Sequence, residues 1–198
     1  MVRVFGMAES GNCYKVKLLL SQLGQPFEWI ETDNTKGATR TDEFLRMNPN
    51  GKVPTLEISP GVYLPESNAI LCYLAEGTPY WPSQKMQRAR ALQWMFFEQY
   101  SHEPYVAVAR FILFFLKQPQ HAELAEKQRR GHLALAVMEQ QLAQEPYFAG
   151  ENYCIADIAL YAYTHVAGEG GIDLAGYPAI GAWMARVKSQ PGHVPMRG

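Results

Sequence analysis

Three short stretches of the 198-residue chain bring reactive side chains together. In Ser10-Gly11-Asn12-Cys13 a hydroxyl, an amide and a thiol meet at the expected start of a helix. Backbone N–H groups and the positive end of the helix dipole converge there, so Ser10 can donate a hydrogen bond to a bound anion. Lys52-Val53-Pro54 follows a turn and enters a strand, a setting for a cis X-Pro bond. With Pro54 cis, the Val53 N–H and C=O would be exposed to pair with an extended peptide as an added strand. Glu66-Ser67 opens another helix twelve residues after Pro54. The Ser67 hydroxyl and local N–H groups suit a carboxylate, and the Glu66 carboxylate suits an ammonium. Together the three stretches would grip a peptide carrying an amine, carboxylates and a thiol.

The remaining reactive side chains exclude more than they suggest. Cys13, Cys72 and Cys154 lie 59 and 82 residues apart without a C-x-x-C pair, which argues against a disulfide framework and a zinc module and fits a reducing compartment. His102, His121, His132, His165 and His193 share no metal spacing, so no metal is expected. Eighteen Lys plus Arg against nineteen Asp plus Glu leave a formal charge of −1. No basic field exists to attract nucleic acid or an anionic membrane. The opening MVRVFGMAESG falls short of the roughly 7 to 15 apolar residues of an export signal. Val106 to Leu116 is broken by Arg110 and is too short for the roughly 20 residues of a bilayer span. A cytoplasmic protein is expected, and its 47% apolar composition suffices for a sizeable core.

Val2 to Gly6 reads as a strand. Val16, Leu19, Leu20 and Leu23 have helical spacing that stops at Gly24, and Phe27 to Thr32 is a second strand. This βαβ unit should have a right-handed crossover. A short helix around Phe44 to Met47, the turn Asn48-Pro49-Asn50-Gly51, a hairpin from Val53 to Ile58 and Val62 to Leu64, and a helix from Glu66 to Ala75 complete the order βαβαββα. From Ser83 onward the patterns are helical only: Gln84 to Leu116 with a bend or break at Pro104, His121 to Leu142, Ile155 to Val166 and Ala179 to Lys188. The boundary falls in the Pro- and Gly-bearing stretch before Ser83. We therefore read residues 1–76 as an α/β domain, 77–83 as a linker and 84–198 as an all-α domain.

The order βαβαββα is that of the thioredoxin-like fold, whose redox motif C-x-x-C opens the first helix. Here Ser10 occupies the seat of the nucleophilic thiol. A hydroxyl cannot form a disulfide, but it can stabilise a thiolate brought by a ligand. The SGNC loop, N-P-N-G-K-V-P-T-L and L-P-E-S-N-A-I-L-C-Y-L, followed by the helical half, resemble the cytosolic glutathione transferase superfamily over essentially the whole chain. The resemblance implies glutathione as co-substrate and a small electrophile, or a disulfide or peroxide, as its target. It matches Ser10 to the activating serine of serine-type members and Asn12 to an asparagine used by some bacterial ones. It implies that Val53 pairs with the cysteinyl backbone, that Glu66 and Ser67 hold the γ-glutamyl end, and that Lys52 approaches the glycine carboxylate. Where the family carries Ser or Thr three residues before the helix-capping Asp157, this chain has Cys154, a weaker cap by about 1 kcal/mol.

Plainer structural roles stand beside these. Ser10 could be an ordinary helix N-cap, Asn12 loop chemistry, and Glu66-Ser67 a simple helix start. Cys13 could be a low-pKa thiol, but its seat favours a buried small side chain, and Cys72 reads as core. The aromatic series Trp94, Phe96, Phe97, Tyr100, Tyr105, Phe111, Phe114 and Phe115 exceeds one helix face, implying core plus a subunit interface and hence a homodimer. Past Pro104, Tyr105 and Arg110 are candidates for the electrophile pocket; Lys36 and Arg40 suit a solvated loop or the glycine carboxylate. The alternative class is a non-catalytic glutathione-transferase-like interaction or stress-regulatory module.

Overall fold

β-branched and aromatic residues begin the chain, and Val2–Gly6 forms strand β1 of the computed structural model, which describes residues 1–197. β1 pairs in parallel with β2 (Phe27–Glu31), from Val2 opposite Phe27 to Gly6 opposite Glu31. Between them runs α1 (Gly11–Gln22), whose Val16, Leu18, Leu19 and Leu20 are buried. Gly24 then takes a left-handed φ of 62°, which a glycine adopts without steric cost, and the chain reverses. β3 (Thr55–Ser59) lies antiparallel to β1, and β4 (Val62–Pro65) antiparallel to β3, giving the strand order β2-β1-β3-β4. α2 (Asp42–Met47) and α3 (Ser67–Ala75) complete this unit, α3 burying Ile70, Leu71 and Leu74. Cys72 is only half-buried, not the core residue its apolar neighbours suggest.

The helical unit begins with α4 (Lys85–Phe97). The expected break at Pro104 takes the form of a widened π turn over Glu98–His102, after which α5 (Glu103–Arg110) carries Pro104 in its first turn. A proline removes one N–H and crowds the carbonyl four residues earlier, and a π turn relieves both. A second π turn spans Phe111–Phe115. Next come α6 (Leu124–Leu142), α7 (Ile155–Thr164), a 3-10 turn at Ala167–Gly170 and α8 (Pro178–Lys188). Glu139 on α6 accepts from the N–H groups of Ala179 and Ile180 at 2.8 and 2.9 Å, satisfying donors that the start of α8 leaves open. Asp157 closes a capping box at α7 although Cys154 replaces the hydroxyl: its carboxylate accepts from Cys154 N at 2.9 Å, Phe148 N at 3.1 Å and Trp183 Nε1 at 2.9 Å.

The compact units are Met1–Thr78 with the tail from Gln190, and Pro79–Ser189. The tail thus departs from the 84–198 boundary read from composition. Tyr14 Oη donates to Val194 O at 2.8 Å, Lys17 Nζ to the carbonyls of Pro195 and Met196 at 3.2 Å each, and Ser21 Oγ to Gly192 O at 2.8 Å. After α8 the chain carries no further periodic apolar pattern, so its hydrogen bonds to α1 decide where it belongs.

Candidate glutathione site

The loop after β1 ends in Ser10, which takes an extended conformation and caps α1. Its Oγ accepts from Cys13 N at 3.4 Å. Cys13 is fully buried, and burial pushes its thiol up to about 12, outweighing the opposing hydrogen bonds from Ser10 and from Met7 N. It is a protonated, shielded side chain at neutral pH. Asn12 is half-buried, and its Oδ1 accepts from Ser67 Oγ at 3.3 Å.

The second stretch is built by Asn48. Its Nδ2 donates to Lys52 O at 2.8 Å and Thr55 Oγ1 at 3.2 Å, while its Oδ1 accepts from Asn50 N at 3.0 Å. These bonds fix the turn that delivers Val53 and Pro54, and the peptide between them is cis. The sheet registers of β3 begin at Thr55, so Val53 lies outside the ladder. Lys52 is exposed. A Cβ at Gly51 would meet the Arg40 guanidinium at 2.6 Å, which places Arg40 over this turn, whereas Lys36 is solvated and paired with Asp33 at 3.1 Å.

The third stretch is conformationally unusual. Glu66 is exposed and precedes α3 with φ 75° and ψ 107°, a region costing a non-glycine residue of order 1–3 kcal/mol. That twist starts the helix at the buried Ser67. Beneath it, Lys15 Nζ approaches Ser67 Oγ and Asn68 Oδ1 at 3.4 Å each. The structure thus joins Asn12, Ser67 and Lys15 in one network, in the same unit as Ser10 and the Val53-Pro54 turn.

Residues 1–76 match the family model for the glutathione S-transferase N-terminal domain, and residues 94–191 that for its C-terminal domain. The chain belongs to the glutathione S-transferase family. A solved glutathione S-transferase from Pseudomonas fluorescens is 56% identical, with 98% of each chain covered and a TM-score of 0.97. The disulfide-bond oxidoreductase YfcG of Escherichia coli K12 is 34% identical over 93% of this chain and 89% of its own. A structure of Ure2p in complex with glutathione is 25% identical, covers 96% of this chain and 90% of that one, and has a TM-score of 0.86. The thioredoxin-like and all-α architecture of the glutathione S-transferases is therefore that of this chain.

The two α5 residues considered for the electrophile pocket, Tyr105 and Arg110, have different surroundings. Tyr105 is half-buried, with the Arg130 guanidinium 4.7 Å and Lys127 Nζ 5.8 Å from its ring centroid. Arg110 is only 2% exposed; its Nε donates to Glu169 at 2.6 Å and its guanidinium lies 4.8 Å from the Phe114 ring and 5.4 Å from that of Phe115. The structure thus places Arg110 inside the helical unit, where it holds α5 to the Ala167–Gly170 turn. Among the described residues, no cluster of three or more His, Cys, Asp or Glu could hold a metal, and no helix is long and apolar enough to cross a membrane. Lys15 and Asn48 were not singled out from sequence. For Lys15 there was a signal: a cation on the same turns as Val16, Leu19 and Leu20.

Proposed function

We propose that the protein is a cytoplasmic, homodimeric glutathione transferase whose Ser10 and Asn12 stabilise the glutathione thiolate. A free thiol titrates near 8.5, and lowering it by about two units requires roughly 2.7 kcal/mol of preferential stabilisation of the anion. A hydroxyl proton at a helix N-terminus suits that task. Val53 pairs with the cysteinyl backbone, Glu66 and Ser67 receive the γ-glutamyl end, and Lys52 the glycine carboxylate. The thiolate sulfur then forms a bond to an electrophilic carbon while the leaving group departs with its electron pair. The observation that supports this reading is the Ser10 cap, which sets the hydroxyl at the N-terminus of α1 with its oxygen accepting from Cys13 N. The kinship with YfcG favours a second reaction on the same site: attack on one sulfur of a disulfide, forming a mixed disulfide with glutathione and expelling the other sulfur as thiolate.

The test compares Ser10→Ala and Asn12→Ala with wild type. Ser10→Ala should cut conjugation of an activated aryl chloride at pH 7 by about tenfold or more, while affinity for S-methylglutathione, which has no thiolate, stays within about twofold. Wild-type rates in Ser10→Ala with a loss in Asn12→Ala would transfer activation to Asn12. A wild-type protein that fails to bind glutathione would support the interaction-module alternative instead.

A further inference from the structure

Lys15 is 0% exposed, on the buried face of α1 beside Val16 and Leu19. Removing an ammonium from water is costly unless hydrogen bonds receive it. Nζ lies 3.4 Å from Asn68 Oδ1 and 3.4 Å from Ser67 Oγ, and the second contact connects it to the site, since Ser67 Oγ lies 3.3 Å from Asn12 Oδ1. Their direction is forced. An ammonium only donates, so Ser67 accepts from Lys15 and its single proton goes to Asn12 Oδ1. With its oxygen engaged, the Asn12 amide has Nδ2 as its donor end.

We propose that Lys15 is a positioning residue for thiol activation, acting through Ser67 to set the Asn12 amide with Nδ2 as the donor to the ligand's sulfur. This deepens the function proposed above and rests on glutathione binding in this unit. Chains of hydrogen bonds polarise one another in a poorly screened interior, so a cation at the head of the chain also strengthens the donor at its end. Ser67 then meets the γ-glutamyl carboxylate through its backbone N–H at the start of α3, because its hydroxyl proton stays on Asn12 Oδ1.

The experiment titrates the thiolate absorbance of glutathione bound to the wild type and to Lys15→Met, Lys15→Arg, Ser67→Ala and the Lys15→Met/Ser67→Ala double variant. Met matches the lysine stem in shape, and Arg keeps the charge. The midpoint in Lys15→Met should rise by about one pH unit, a tenfold loss of thiolate at lower pH. Lys15→Arg should stay within a few tenths of wild type, Ser67→Ala should shift in the same direction, and the double variant should go no further, because both act along one chain. A wild-type midpoint in Lys15→Met, or shifts that add in the double variant, would overturn the assignment. Should Lys15→Met fail to fold, an unmoved midpoint in Ser67→Ala overturns it equally. Wild-type protein that binds no glutathione overturns the proposed function itself, an outcome distinct from binding that is insensitive to Lys15.

Discussion

Tyr14 donates its phenol proton to the Val194 carbonyl at 2.8 Å, so the first helix holds a residue 180 positions later in the chain. Tyr14 is 1% exposed, and removing its hydroxyl leaves that carbonyl without this donor. Tyr14→Phe should lower unfolding stability by about 1 kcal/mol. Arg197 also reaches Glu9, next to Ser10, at 2.7 Å, but both side chains are partly solvated. Arg197→Ala should therefore cost less than Tyr14→Phe. Urea unfolding of the two variants checks the order; the reverse order would place the hold on the tail at its tip.

Cys13 should be dispensable for chemistry. Its thiol is pushed up to about 12 by burial, so it is neither a thiolate at neutral pH nor accessible to a disulfide. Cys13→Ser is expected to retain most glutathione-dependent activity. Wild type incubated with oxidised glutathione should show no mass increase from a mixed disulfide on Cys13. A stoichiometric adduct at that residue would make Cys13 the working nucleophile and demote Ser10.

One face of α4 and the turn after it is both apolar and exposed: Met86 at 67%, Phe96 at 69% and Tyr100 at 84%. Side chains of this size at helical spacing mark a surface for a partner, and twofold pairing with a second copy is the expected arrangement. Light scattering at micromolar concentration should return twice 22.4 kDa. Phe96→Glu should move the mass toward 22.4 kDa while unfolding stays cooperative. A wild-type monomer removes the dimer from the proposed function.

What could be read in advance was local. Gly24 ends a helix, the Asn48-Pro49-Asn50-Gly51 turn precedes a strand, and Val53-Pro54 at that point is cis, all from chemistry within a few residues. The seat of Ser10 followed from the order of elements. Lys15 on Ser67, Arg110 on Glu169 and the tail on α1 join residues 52, 59 and about 180 positions apart. No periodicity carries that information; each pairing depends on which faces meet after folding. Arg110 illustrates the limit, since a cation in an apolar run reads equally as a pocket residue or as half of a buried ion pair.

Asp157 caps α7 from a fully buried position. Burial pushes its carboxyl up to about 6 from an ordinary value near 3.8, ahead of the opposing pull of the Cys154, Phe148 and Trp183 donors. A folded-state pKa above the unfolded one means the folded protein holds the proton more tightly. The stability this contributes is complete below about pH 3.8 and is lost as pH rises through about 6. Between pH 5 and 7 the loss amounts to about 1 kcal/mol. Asp157→Asn cannot titrate, and it turns an amide N–H₂ toward donors that need an acceptor, so it should be less stable than wild type throughout. The wild-type advantage should be about 1 kcal/mol larger at pH 5 than at pH 7 in denaturant unfolding. An advantage that stays flat between pH 5 and pH 7 would mean that the three donors outweigh burial and hold the carboxylate ionised across that range.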